Sequence, residues 1–236
     1  MRFIIKYCIS LSFIFLSLFT SFSLYAQTDS QVTDLTKAVK FDDVSEVKSL
    51  VASGISPNTK DPKGNPILVL AFQEKSLKTA AFLMDAKNID LNQPNLNGET
   101  PLMIASLFGL LPQVKTLVDL KNVDVNKPGW SALHYACTNG NLQVAEFLLD
   151  KGAKVNALSP SDTTPLMLAV RSGNIELTRL LLDRGSDISI RNHQGYSAID
   201  VADMFSQSEI RDGLKARWVK VYKQPYPGGP ITPASK

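Results

Sequence analysis

"GNLQVAEFLLDKGAKVNA", Gly140 to Ala157, returns almost position for position as "GNIELTRLLLDRGSDISI", Gly173 to Ile190. Agreement this close within one chain marks two copies of a structural unit, and the residues just upstream extend the match. There "SALHYA" begins at Ser131 and "TPLMLA" at Thr164. The same phrase occurs as "TPLMIA" from Thr100 and "SAIDVA" from Ser197, more weakly as "PILVLA" from Pro66, and in degenerate form as "TDLTKA" from Thr33. Successive starts are 33, 34, 31, 33 and 33 residues apart, and glycine stands two places ahead of four of them, at Gly64, Gly98, Gly129 and Gly195.

Each position has a physical role. Thr or Ser at the head of the phrase can cap a helix by accepting a backbone N–H, and proline suits the first helical turn. The small residue at Ala71, Ala105, Ala136, Ala169 and Ala202 allows helices to approach closely. Gly109, Gly140 and Gly173 end the first helix and turn the chain. Pro112 opens a second helix, where a missing N–H costs little, and the runs "FLM", "TLV", "FLL" and "LLL" give that helix its buried side. No single unit can bury both faces alone, so the core must be shared along a stack.

The pattern resembles the ankyrin repeat family, whose units read G-x-T-P-L-H-x-A followed by a second amphipathic helix and G-A-D-x-N. The resemblance covers about residues 30 to 217 and implies an all-α repeat solenoid: about six stacked helix-turn-helix units with short β-hairpin fingers. The units begin near Gln31, Gly64, Gly98, Gly129, Asp162 and Gly195, with the first and last acting as caps.

The rest of the chain divides around this block. Residues 1–26 carry Arg2 and Lys6, a charge-free apolar run and a small residue at Ala26, which describes a secretory signal peptide cut between Ala26 and Gln27. An uncleaved anchor over Tyr7 to Leu24 is the rival reading. The expected domains are thus a signal peptide at 1–26, a repeat domain at 27–218 and a flexible Pro/Gly-rich tail at 219–236. Of 25 basic and 22 acidic residues, Arg2 and Lys6 leave with the signal and no acid does. A remaining balance of one positive charge gives no support to a nucleic-acid or membrane partner. Cys8 leaves as well, so Cys137 is alone and no internal disulfide framework exists.

His134 and Cys137 lie three apart on one helical face, which raises the question of a thiol and its base. In the family the histidine bonds the backbone of adjacent turns, and the cysteine reads as a small core residue. His193, in "RNHQGYS", falls at a finger tip. No acid–histidine–nucleophile set and no zinc or calcium spacing stands out. The expectation is therefore a protein that is not an enzyme, with no cofactor and no metal.

Function should lie where such stacks display side chains: just before the signature and just before the helix-ending glycine. "VDVNKPGW" is short for a full finger, so that tip should be blunted and Trp130 left at the shoulder of the groove. Leu107, Phe108 and Trp130 come from adjacent units and form the first expected protein-binding cluster. Tyr196, Met204 and Phe205 form a second, and Glu99 and Arg171 occupy equivalent display positions. The expected role is a monomeric protein-binding module, periplasmic or secreted. The resemblance allows it to support or restrain an envelope enzyme such as a catalase. The alternatives are a secreted effector acting on host or competitor proteins, and an enzyme dependent on His134 and Cys137.

Overall fold

Each repeat folds as a helical hairpin because its signature supplies both a start and a stop. The computed structural model describes residues 28–230; the expected signal segment and its cleavage point lie outside the described residues, as do residues 231–236. The helices pair as α1 (Asp29–Lys40) with α2 (Val44–Ala52), α3 (Ile67–Gln73) with α4 (Leu77–Met84), and α5 (Pro101–Leu107) with α6 (Leu111–Lys115). They continue as α7 (Ala132–Thr138) with α8 (Leu142–Asp150), α9 (Pro165–Ser172) with α10 (Ile175–Asp183), and α11 (Ala198–Met204) with α12 (Ser208–Tyr222). Helix α6 widens into a π turn over Thr116–Leu120. First helices stack on first helices from α1 through α11, while α2 packs on α4 and α8 lies between α6 and α10.

Local chemistry sets these boundaries. Thr100 Oγ1 accepts the Met103 N–H at 3.4 Å and Thr164 Oγ1 the Met167 N–H at 3.3 Å, with Pro101 and Pro165 opening the helices behind them. Unit one departs from this. Thr28 and Gln31 form its capping box, so α1 begins ahead of "TDLTKA" and the degenerate signature lies inside the helix. The five packing alanines are fully buried, and around them the core runs unbroken from Leu35 to Trp218.

The chain leaves each first helix through a left-handed residue. Gly109, Gly140 and Gly173 do this with φ of 67°, 67° and 73°, and Asp42, Lys75 and Ser206 adopt φ of 52°, 57° and 56° at the same place in units one, two and six. The geometry is thus common to all six units, although only three of them use the residue that enters it without strain.

Fingers are closed by side chains rather than by strands: among the described residues the one bridge is Lys60 with Pro66. Asp61, Asn95, Ser159 and Asn192 each accept backbone N–H bonds from the residues two and four places on. Their own N–H groups bond the carbonyls of Asn65, Glu99, Thr163 and Tyr196. No such pair closes the run from 126 to 130, so the fourth finger is blunted, as its length predicts.

Neighbouring units are also stitched at the far end. Asn58, Asn126 and Asn156 each bond a carbonyl and an N–H of the next unit. Ion pairs Asp85–Lys121, Asp119–Lys151 and Asp150–Arg184 repeat along one edge at 2.7 Å. Exposed pairs of this kind contribute little to stability, about 0–1 kcal/mol each, so the register of the stack rests on its shared core.

The tail departs from expectation. Helix α12 does not stop at 218 but runs to Tyr222, where Lys223 turns left-handed at φ 57°. The chain then folds back: the Tyr226 ring meets Trp218 edge-on at 5.0 Å, and its hydroxyl lies 2.6 Å from Ser197 Oγ and 2.5 Å from Asp200 Oδ2. Arg191 donates to the Gly228 carbonyl at 3.1 Å. Proline and glycine here shape a strap that docks, where composition alone points to a free chain.

Candidate protein-binding groove

The first helices and fingers of units three to six line one surface. Helical spacing puts residue i and residue i+3 of α7, α9 and α11 on it, Tyr135 with Thr138, Leu168 with Arg171, and Val201 with Met204, while α5 contributes Leu107. Two adjoining depressions result. The larger, 460 Å³, is walled by Leu107, Trp130, Tyr135 and Arg171. The smaller, 230 Å³, lies against Tyr196, Met204 and Phe205 and shares Thr163, Leu168 and Arg171 with the first.

Most of the expected display residues therefore meet along one groove. Trp130 is 38% exposed, Met204 57% and Phe205 47%, high values for side chains of this size. Trp130 is held by edge-on contacts to His134 at 5.3 Å and Tyr135 at 6.4 Å. Phe108 and Glu99 do not line either depression. Phe108 caps the end of α5 and packs half-buried against the core, because one further residue rotates the side chain about 100° around the helix. Glu99 works behind the surface. One carboxylate oxygen accepts the Tyr135 hydroxyl at 2.9 Å and the other accepts Asn95 Nδ2 at 2.7 Å. Burial, reinforced by this carboxylate, pushes the Tyr135 hydroxyl well above its ordinary pKa, so it remains a donor. Tyr135 and Leu168 escaped the sequence reading. For Leu168 the signal was available, since it precedes the chosen Arg171 by three residues.

His134 and Cys137 are packing groups. The Ser131 N–H donates to His134 Nδ1 at 3.1 Å with the Ser131 hydroxyl at 2.8 Å, so Nε2 carries the proton and donates to the Thr163 carbonyl at 3.0 Å. Both ring nitrogens are committed. Burial lowers the His134 pKa, against a smaller opposing effect of the Thr163 bond, and the ring stays neutral. Cys137 is fully buried, which pushes its thiol far above the range of a reactive thiolate. His193 stands at a finger tip and pairs with Asp162 at 2.9 Å. Among the described residues no cluster of three metal-ligating side chains occurs.

A stack of helical hairpins displaying a groove of aromatic and apolar side chains defines a repeat scaffold for binding. The family model for ankyrin repeats, in three copies, matches residues 35–128 and 109–192. This chain belongs to the ankyrin repeat family, whose repeats serve as protein-binding modules. It is 31% identical over 146 residues to a putative palmitoyltransferase ZDHHC13 of Danio rerio, covering 60% of this chain and 22% of that protein. It is 30% identical over 104 residues to ankyrin repeat and SAM domain-containing protein 6 of Mus musculus, covering 43% of this chain and 12% of that protein. The Rattus norvegicus counterpart is 32% identical over 119 residues, with coverages of 49% and 13%. The chain thus spans less than a quarter of the length of these curated relatives.

Proposed function

We propose that this protein is a non-catalytic binding module that engages a protein partner through the groove of units three to six. The observation that supports this most directly is the continuity of the surface. Leu107, Trp130 and the pair Met204 and Phe205 come from three different units yet flank two depressions that share Arg171. Contiguous exposed apolar surface of this kind marks binding sites, and aromatic anchors commonly dominate the energetics.

The proposal extends to location. The basic head, apolar run and Ala26 of the first 26 residues support export to the periplasm or beyond. Among the described residues no helix is long and apolar enough to cross a membrane. In that compartment the partner is an envelope protein, and an enzyme that the module supports or restrains is one form of it.

The test pairs Trp130→Ser with Met204→Ser and measures melting temperature and partner capture from envelope extract. Lost capture with melting nearly unchanged supports the groove, since surface substitutions usually move stability by less than about 0.5 kcal/mol. Unchanged capture places the partner surface elsewhere. Fractionation of cells into cytoplasm, periplasm and medium tests export separately.

A further inference from the structure

Among the residues lining the two depressions, Arg171 alone carries a charge. It is exposed and has no carboxylate or hydrogen-bond partner among the described residues. The neighbouring acids are all engaged. Asp162 faces His193, Asp200 faces Arg191, Asp203 faces Arg211 and Lys215, and Glu99 holds Tyr135 and Asn95. No carboxylate is therefore left over for the middle of the groove, and none lines it. There a guanidinium with five donors has no acceptor among the described residues, with Trp130 and Tyr135 to one side, Met204 and Phe205 to the other, and the polar Ser161, Thr163, Asn192 and Gln194 along the same surface.

Resting on the groove reading above, we propose that the occupant is an extended peptide segment of the partner carrying one Asp or Glu side chain, which Arg171 binds, flanked by apolar side chains. The carboxylate matches the planar fork bidentately. A nucleic acid is the wrong ligand for this surface, since backbone binding draws on many cations and the groove offers one. Spacing follows from the architecture. The Trp130 and Tyr135 wall sits one helix of the stack to one side of Arg171, and the Met204 and Phe205 wall one helix to the other. Adjacent helices lie roughly 8–10 Å apart and an extended chain rises about 3.3 Å per residue. The apolar residues therefore fall roughly three positions before and after the acid, in either chain direction.

Random twelve-residue peptides displayed on phage and selected on the immobilised full chain test this directly. The expected result is recovery of sequences with one acid and apolar residues about three positions to each side. A synthetic, end-capped version of the strongest sequence should lose affinity roughly tenfold when its acid becomes the amide, the scale of a hydrogen bond to a charged group. Arg171→Gln should cause the same loss on the unmodified peptide, combining both changes should add nothing further, and Arg171→Lys should rescue part of it. Arg171→Gln melting like the wild type confirms that the loss is local. Recovery of acid-free sequences, no recovery at all, unaltered binding by Arg171→Gln, or additive losses would each overturn the proposal. The groove reading fails differently, through partner capture that survives Trp130→Ser with Met204→Ser.

Discussion

His134 and Asp200 occupy the same place in units four and six, and each does the same inward job. His134 Nδ1 accepts the Ser131 N–H and Asp200 Oδ2 accepts the Ser197 N–H at 2.8 Å, each closing the first turn of its helix. Their outward partners differ. Beyond unit four lies another unit, whose Thr163 carbonyl needs a donor, and the protonated Nε2 of histidine supplies it. Among the described residues, unit six is followed by the strap rather than by another helical pair. The strap arrives instead with a donor, the Tyr226 hydroxyl, beside the Arg191 guanidinium of the sixth finger at 3.0 Å, and both need an acceptor. The repeat position dictates that a polar side chain caps the helix; what lies beyond the unit dictates whether it must also donate or accept a hydrogen bond. Serine and histidine close the interior joint, while serine, aspartate, arginine and tyrosine close the end.

Removing either residue sharpens that contrast. The largest effect belongs to Asp200→Ala. The Arg191–Asp200 pair is nearly buried, at 17% and 9% side-chain exposure, so its loss strands a cation and a phenol together. We expect about 3 kcal/mol of destabilisation in urea titration, the range for breaking one side of a buried pair. His134→Ala should cost less, about 2 kcal/mol, because it orphans two neutral backbone groups. An Asp200→Ala loss no larger than that of His134→Ala would show that the strap contributes little at the end of the stack. Tyr226→Phe keeps the ring on Trp218 and removes only the hydroxyl, so about 1 kcal/mol is expected.

The smallest effect is a pH dependence peculiar to the interior joint. Burial lowers the folded-state pKa of His134 below its ordinary 6.5. The unfolded chain therefore takes up a proton first as pH falls. The stabilisation is fully present above about 6.5 and is lost as pH drops below that value toward the folded-state pKa, with a slope of at most ~1.4 kcal/mol per pH unit. Melting temperatures between pH 7.5 and 5.5 should fall for the wild type and fall less for His134→Ala. Identical slopes in the two would mean that the ring does not carry the titration.

Much of this was readable in advance where a residue's role is set inside its own unit. The number of units, their register, the capping Thr and Pro and the buried alanines all follow from the 33, 34, 31, 33 and 33 residue steps. So does the blunted finger, and with it the exposure of Trp130. What escaped depends on contacts between distant segments. Phe108 was assigned to the groove from its place before Gly109, yet the helix phase turns it toward the core. Glu99 was read as display and instead positions Tyr135, a partner 36 residues away. The strap was read as free because prolines and glycines describe local stiffness. Nothing in "QPYPGG" reveals that Arg191 and Asp200 stand ready to receive it.

The asparagine staples carry one more consequence. Asn58, Asn126 and Asn156 each tie their unit to the next, but Asn92, at the corresponding place between units two and three, makes no such bond among the described residues. The unit it faces is the one whose second helix is loosened by the π turn at Thr116–Leu120. That joint is held instead by the Asp85–Lys121 ion pair and the shared apolar core, and it lies on the N-terminal side of every groove residue from Leu107 to Phe205.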